Sequence, residues 1–151
     1  MFELESKSPD EITLITKTRT IMFDLANETV DAKLEVGKIV GPGEFEIGEA
    51  AIRGIGVEGG KTIYDVVIGN VHLGIIGGVE NATALDELGM SDVLCTSSVR
   101  AVREIEPKLV VAMGNIDGMV MELKVSARTE KKLKIKSLES LPVTLEVVAL
   151  A

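Results

Sequence analysis

The chain has 151 residues, 46% hydrophobic and 26% charged, with a net charge of −8. That length suits one domain that buries a core without disulfide or metal staples; the negative charge argues against binding a phosphate backbone, and 3% aromatic content leaves little to stack on bases or sugars. No apolar run approaches the ~20 residues of a membrane span, and the charged opening MFELESKSPDE is unlike a secretory leader, so a cytoplasmic chain that binds neither nucleic acid nor membrane is expected.

Phe2 and Leu4 alternate with Glu3 and Glu5, which predicts a first, edge-like strand. The SKSPD run at 6–10 is turn chemistry. Strands are predicted at 12–16 and 20–25, turning around Lys17-Thr18-Arg19, and 25–40 reads as a polar connection with a short strand near its end. Gly41-Pro42-Gly43 turns the chain. Residues 44–47 alternate like a half-exposed strand, and 51–55 form another. The stretch 62–78, TIYDVVIGNVHLGIIGG, is the centre of the sequence. Two apolar strands, 62–68 and 71–76, flank the turn residues Gly69-Asn70. Ile63 and Val67 lie on one face, Tyr64, Val66 and Ile68 on the other, so both faces should be covered.

Beyond the hairpin the rhythm changes. Asn81 is a good N-cap for a helix over Ala82–Leu88 that Gly89 ends. Val93–Thr96 is a buried strand. Ser97 and Ser98 can cap a helix reaching Ile105, which Pro107 closes. Residues 109–113 form a further buried strand. Residues 118–127 fit a helix through Met119 and Leu123, or a strand through Met119, Met121, Leu123 and Val125. An edge strand over 132–138, with lysines on its solvated face, and a last apolar strand over 143–150 complete the chain. Strands first, then strands and helices in alternation, predict a single α+β domain: a β-rich two-sheet sandwich with a few short helices.

Candidate chemistry gathers around His72, the only histidine, and the glycines that follow it: Gly74, Gly77 and Gly78. Glycines after a buried strand allow close approach of a backbone or ligand. The lone Cys95, beside Val93 and Leu94, reads as a core thiol. No Ser–His–acid or Cys–His set is legible.

The ordered pieces GPGEFEIGEAAIRGI, TIYDVVIGNVHLG, LDELGMSDVL and IEPKLVVAM resemble the metallo-β-lactamase superfamily. Within it they resemble the small metal-dependent hydrolases related to ascorbate-lactone hydrolases. LKIKSLESLPVTLEVVAL resembles the C-terminal strands of that branch, and the strand end at Asp24 stands where the branch has a TDP-type motif. The resemblance spans about residues 36–150. It implies a truncated αββα sandwich. It also implies a metal site, built from an HxHxDH loop, the aspartate of an HLGD motif and a late histidine, in which the ion polarises the substrate and acidifies a bound water.

This sequence departs from the branch at each ligand. The stretch 25–40, where the loop should fall, has no histidine. Ile75 holds the aspartate position, Gly78 stands where a histidine often follows, and Gly114 holds the late histidine position. Asp24 occupies a position that usually supports the ligands, and His72 is not a usual ligand in the motif. The resemblance therefore implies a degenerate member, a pseudoenzyme with no catalytic residue, no metal and no cofactor. Its remnant-site positions are Asp24, His72, Ile75, Gly78 and Gly114. Such a domain is expected to act in interaction or assembly, as a homo-oligomer or with an unidentified protein partner. One alternative is a residual hydrolase holding Zn or Mn through Asp24, Glu44, Asp65 and His72. Another is a sensor of a small ligand or anion, using Gly74, Gly77, Gly78, Gly114 and the GGVEN segment before a helix.

Overall fold

In a computed structural model, which describes residues 1–35, 37–114 and 116–151, two sheets pack face to face. The first is antiparallel. Its strands are β1 (Phe2–Ser8), β2 (Glu11–Ile15), β3 (Thr20–Asp24), β4 (Thr29–Asp31) and β5 (Ile39–Val40), with β13 (Leu133–Ile135) added beside β1. The first strand is thus not an edge: β13 pairs along it, Phe2 opposite Ile135 and Leu4 opposite Leu133. It also runs on through Ser8, which leaves the turn to Pro9 and Asp10. The connection at 25–40 contains β4 as well as the expected short strand; Val36 lies outside the described residues.

The second sheet begins antiparallel, with β6 (Gly43–Ile47), β7 (Ala50–Val57), β8 (Lys61–Ile68) and β9 (Val71–Gly77). It continues parallel through β10 (Val93–Thr96), β11 (Leu109–Ala112), β14 (Glu146–Leu150) and β12 (Ala127–Glu130). Gly69, with φ of 61°, takes the first central position of the β8–β9 turn, where a hairpin needs positive φ. The parallel strands are joined by α1 (Ala82–Leu88), α2 (Val99–Ile105) and α3 (Ile116–Leu123). The ambiguous stretch resolves as helix up to Leu123 and strand from Ala127, because Met119 packs into the helix-side core.

The hairpin has the two covered faces its composition demands. Tyr64, Val66, Leu73 and Ile75 enter the core between the sheets, where the Tyr64 ring meets Phe23 edge-on at 5.2 Å. Ile63 and Ile76 face the helices with Leu85, Leu88 and Val102. Each fully buried aliphatic chain of this kind contributes about 1.5–3 kcal/mol. The helices cover one face of the second sheet, and the helix-side cluster contains side chains from all three. Val67 and His72, on the same face as Ile63, are only half-buried.

Candidate functional site

In open sheets with parallel strands, ligands bind outside the carboxyl ends of the strands. Here those ends are Gly77 of β9, Thr96 of β10 and Ala112 of β11. They are tied by local hydrogen bonds. Thr96 Oγ1 donates to the Gly77 carbonyl at 2.7 Å and accepts the Ser98 amide at 2.9 Å. The Ser97 amide donates to the same Gly77 carbonyl, and the Met113 amide to that of Thr96, both at 2.9 Å. Ser98 caps α2 through the Ala101 amide, as the sequence predicts, while its own hydroxyl donates to Glu80 at 2.7 Å.

Gly78 and Gly114 meet at Ser97. A Cβ on Gly78 would sit 3.3 Å from Ser97 Oγ, and one on Gly114, whose φ is 112°, 4.0 Å from Ser97 Cβ. Ser97 is exposed between them. Sequence reading assigns this serine only to helix capping, yet a hydroxyl directly after a buried strand and before a helix is the signal that marks it. Gly77 has φ of 56° and packs so closely that a Cβ there would lie 2.9 Å from Leu25, the residue that follows β3. A cavity of about 150 Å³ opens beside it, lined among others by Leu25, Glu28, Lys61, Thr62 and Gly78. Glu28 accepts the Thr62 hydroxyl at 2.9 Å and links the two sheets at this rim.

Asp24 ends β3 on the first sheet. Its carboxylate accepts both the backbone amide of Asn27 and, at 2.8 Å, the Asn27 side-chain amide. Those bonds, the side-chain one foremost, hold its pKa below the ordinary carboxylate value. The group is a local turn device. Ile75 is fully buried in the core between the sheets, opposite Tyr64 on one side and Cys95 on the other.

His72 is elsewhere. It opens β9, five residues before Gly77, which at about 3.3 Å per residue puts it roughly 16 Å from the carboxyl rim. Its backbone is clamped by Asp92: the His72 amide donates to Asp92 Oδ2, and the Asp92 amide to the His72 carbonyl, both at 2.8 Å. The ring makes no hydrogen bond among the described residues. Gly74 lacks a side chain for a packing reason, since a Cβ there would stand 2.6 Å from Ser91 Oγ.

The structure therefore brings Gly78 and Gly114 together, with Asp24 on the facing sheet. It does not bring His72 or the side chain of Ile75 to them. The alternative ligand set is also dispersed. Asp65 is held by Arg53 at 3.1 Å, and Arg53 also donates to the Glu87 carbonyl at 2.8 Å. Glu44 lies opposite Arg53 on β6, beside an open groove of about 460 Å³ on the outer face of the sheet. After the GGVEN segment two of the helix's first amides are already taken: Asn81 accepts those of Thr83 and Ala84, at 2.9 and 3.2 Å. Cys95 is fully buried, and burial pushes its thiol pKa far up, which makes it a core residue and not a nucleophile.

No family model and no curated protein matches the chain. Among solved structures, it is similar over 100% of both chains to a proposed Zn-dependent hydrolase of the metallo-β-lactamase superfamily from Thermotoga maritima, with a TM-score of 0.73 and 15% identity. The chain has a metallo-β-lactamase-like fold. That fold implies a metal at the strand-end rim, and the side chains present do not fit one. Ile75, Gly78 and Gly114 offer no donor atom. Among the described residues no group of three or more His, Cys, Asp or Glu could hold an ion. Nor is any described helix long and apolar enough to cross a membrane.

Proposed function

We propose that this chain is a metallo-β-lactamase-fold domain that has lost its metal site and now serves in assembly, not hydrolysis. The observation that supports the reading is what stands at the resembled ligand positions: Ile75 lies in the core between the sheets at 0% exposure, away from the rim, and Gly78 and Gly114 flank Ser97 at the rim with no donor side chain. A carboxylate left at position 75 without a cation would carry a large desolvation cost, so an apolar residue is the stable replacement. The fold survives the loss because its strands are held by apolar burial on both faces of the hairpin. The test is elemental analysis of purified protein together with thermal melting in added Zn²⁺ or Mn²⁺. The expected outcome is no stoichiometric metal and an unchanged melting temperature. A rise of several degrees with either ion, the signature of binding to the folded state, would favour a residual hydrolase.

A further inference from the structure

We infer that two copies of this chain associate through the edge strand β12, in one antiparallel register, to join their second sheets into a continuous sheet. The inference rests on the assembly half of the proposed function and names its partner and surface.

A free sheet edge is a template for pairing unless it is blocked. Among the described residues the sheet edges are β13, β5, β6 and β12. β5 has two residues. β13 is blocked by charge of one sign, with Lys134 on the strand and Lys132 and Lys136 beside it. On β6, Glu44 and Glu46 point to the same face, so a second copy would bring carboxylates against carboxylates. β12 differs. Its charges alternate with opposite sign on one face, Arg128 and then Glu130, around Thr129, and Ala127, Arg128 and Thr129 are exposed.

The backbone of β12 selects the register. Toward β14, the Ser126 carbonyl accepts the Val147 amide at 3.1 Å, and the Glu130 carbonyl accepts the Ala151 amide at 2.9 Å. Alternate residues of a strand address the same neighbour, so the N–H and C=O of Thr129 point to the free side. An antiparallel pair of β12 strands about a two-fold axis then exchanges both hydrogen bonds between Thr129 and the partner's Thr129. The next position is a non-hydrogen-bonded pair, where side chains approach closest. There Arg128 faces the partner's Glu130, and the reverse pair forms by symmetry. The two neighbouring registers set arginine against arginine or glutamate against glutamate. The contact is self-complementary, as a two-fold interface requires, and it uses the Thr–Thr and opposite-charge pairs that stabilise sheets. Arg128 already pairs with Glu146 and Glu130 of its own chain. Its guanidinium has five donors and can take a further carboxylate without releasing Glu146. A four-residue ladder alone is small beside the ~1,600 Å² of a standard interface. The helix α3, packed on β14 next to this edge, supplies apolar surface, with Met121 78% exposed.

The test is light scattering on a sizing column with the full chain and four variants. A dimer is expected for the parent chain. Arg128→Glu and Glu130→Arg should each weaken it by about tenfold or more, and the double exchange should restore it. Thr129→Pro removes a donor that the β12–β14 ladder does not use; it should give a monomer with an unchanged circular dichroism spectrum. A dimer that survives Thr129→Pro and both single reversals overturns this interface and leaves the assembly reading standing. A parent chain that is monomeric at high concentration overturns both. Single reversals that dissociate the dimer without rescue in the double exchange overturn the register.

Discussion

The two ends of β9 are built on opposite principles. At the amino end, a carboxylate and a run of backbone hydrogen bonds knot the loop before β10 to the strand: Asp92 holds both backbone groups of His72 and accepts the Lys108 and Leu109 amides through its carbonyl. At the carboxyl end the residues are small, the backbone of Gly77 is left-handed, and Leu25, just past β3, packs where a side chain on Gly77 would lie. The first end is a structural joint. The second is a rim of the kind where function usually sits, with glycine at 77, 78 and 114. The lesson is that a short motif, His72 through Gly78, joins two places that the strand holds about 16 Å apart.

That contrast can be broken or sharpened by substitution. The largest effect is expected for Ile75→Asp, which puts a carboxylate at the resembled ligand position but in a dry core. The loss should be about 3–5 kcal/mol, the cost of an uncompensated buried charge, read as a lowered denaturant midpoint and not recovered by added Zn²⁺. A variant of unchanged stability, or one that zinc stabilises, would mean that the rim still reaches this position. Next, Asp92→Ala at the amino end leaves the His72 amide without its acceptor and should cost about 1–3 kcal/mol.

A third effect depends on pH. Tyr64 is fully buried, its hydroxyl has no hydrogen-bond partner among the described residues, and burial, reinforced by the charges of Glu28 and Asp24, pushes its pKa up to about 12. In an unfolded chain the phenol ionises near about 10. The folded state therefore holds the proton longer, so stability is intact below pH ~10 and falls as pH rises towards ~12. Since Tyr64 is the only tyrosine, tyrosinate absorbance reports it directly. Tyr64→Phe should remove that alkaline loss while leaving neutral-pH stability within about 0.5 kcal/mol, because no hydrogen bond is broken. The smallest effect is expected for His72→Ala. A half-exposed ring with no hydrogen bond should cost below about 1 kcal/mol, and a cost matching that of Asp92→Ala would show that the imidazole, not only its backbone, holds the joint.

Much of the fold was legible because its signals are local. The β8–β9 hairpin declared itself through β-branched residues on both faces of a Gly-Asn turn. α1 and α2 showed in their Asn81 and Ser98 caps, and β10 in an unbroken apolar run between turns. Residues 118–127 were not legible, because Met119, Met121, Leu123 and Val125 satisfy both periods. Only the packing of Met119 against the helix-side core separates helix from strand there. β12, three exposed residues and the half-buried Glu130 with no apolar face, carries no sequence signal at all; its partner β14 lies sixteen or more residues away along the chain.

The sequence by itself determined most of the strands and the helices α1 and α2, that both faces of the hairpin are covered, and that no ligand side chain stands at 75, 78 or 114. These follow from side-chain chemistry and periodicity, which act over a few residues. Tertiary structure alone decided that β13 covers β1, that Ser97 lies between Gly78 and Gly114, and that His72 belongs to a joint and not to the rim. Pairing and strand direction bring together residues distant along the chain, and no local propensity encodes which of them will meet.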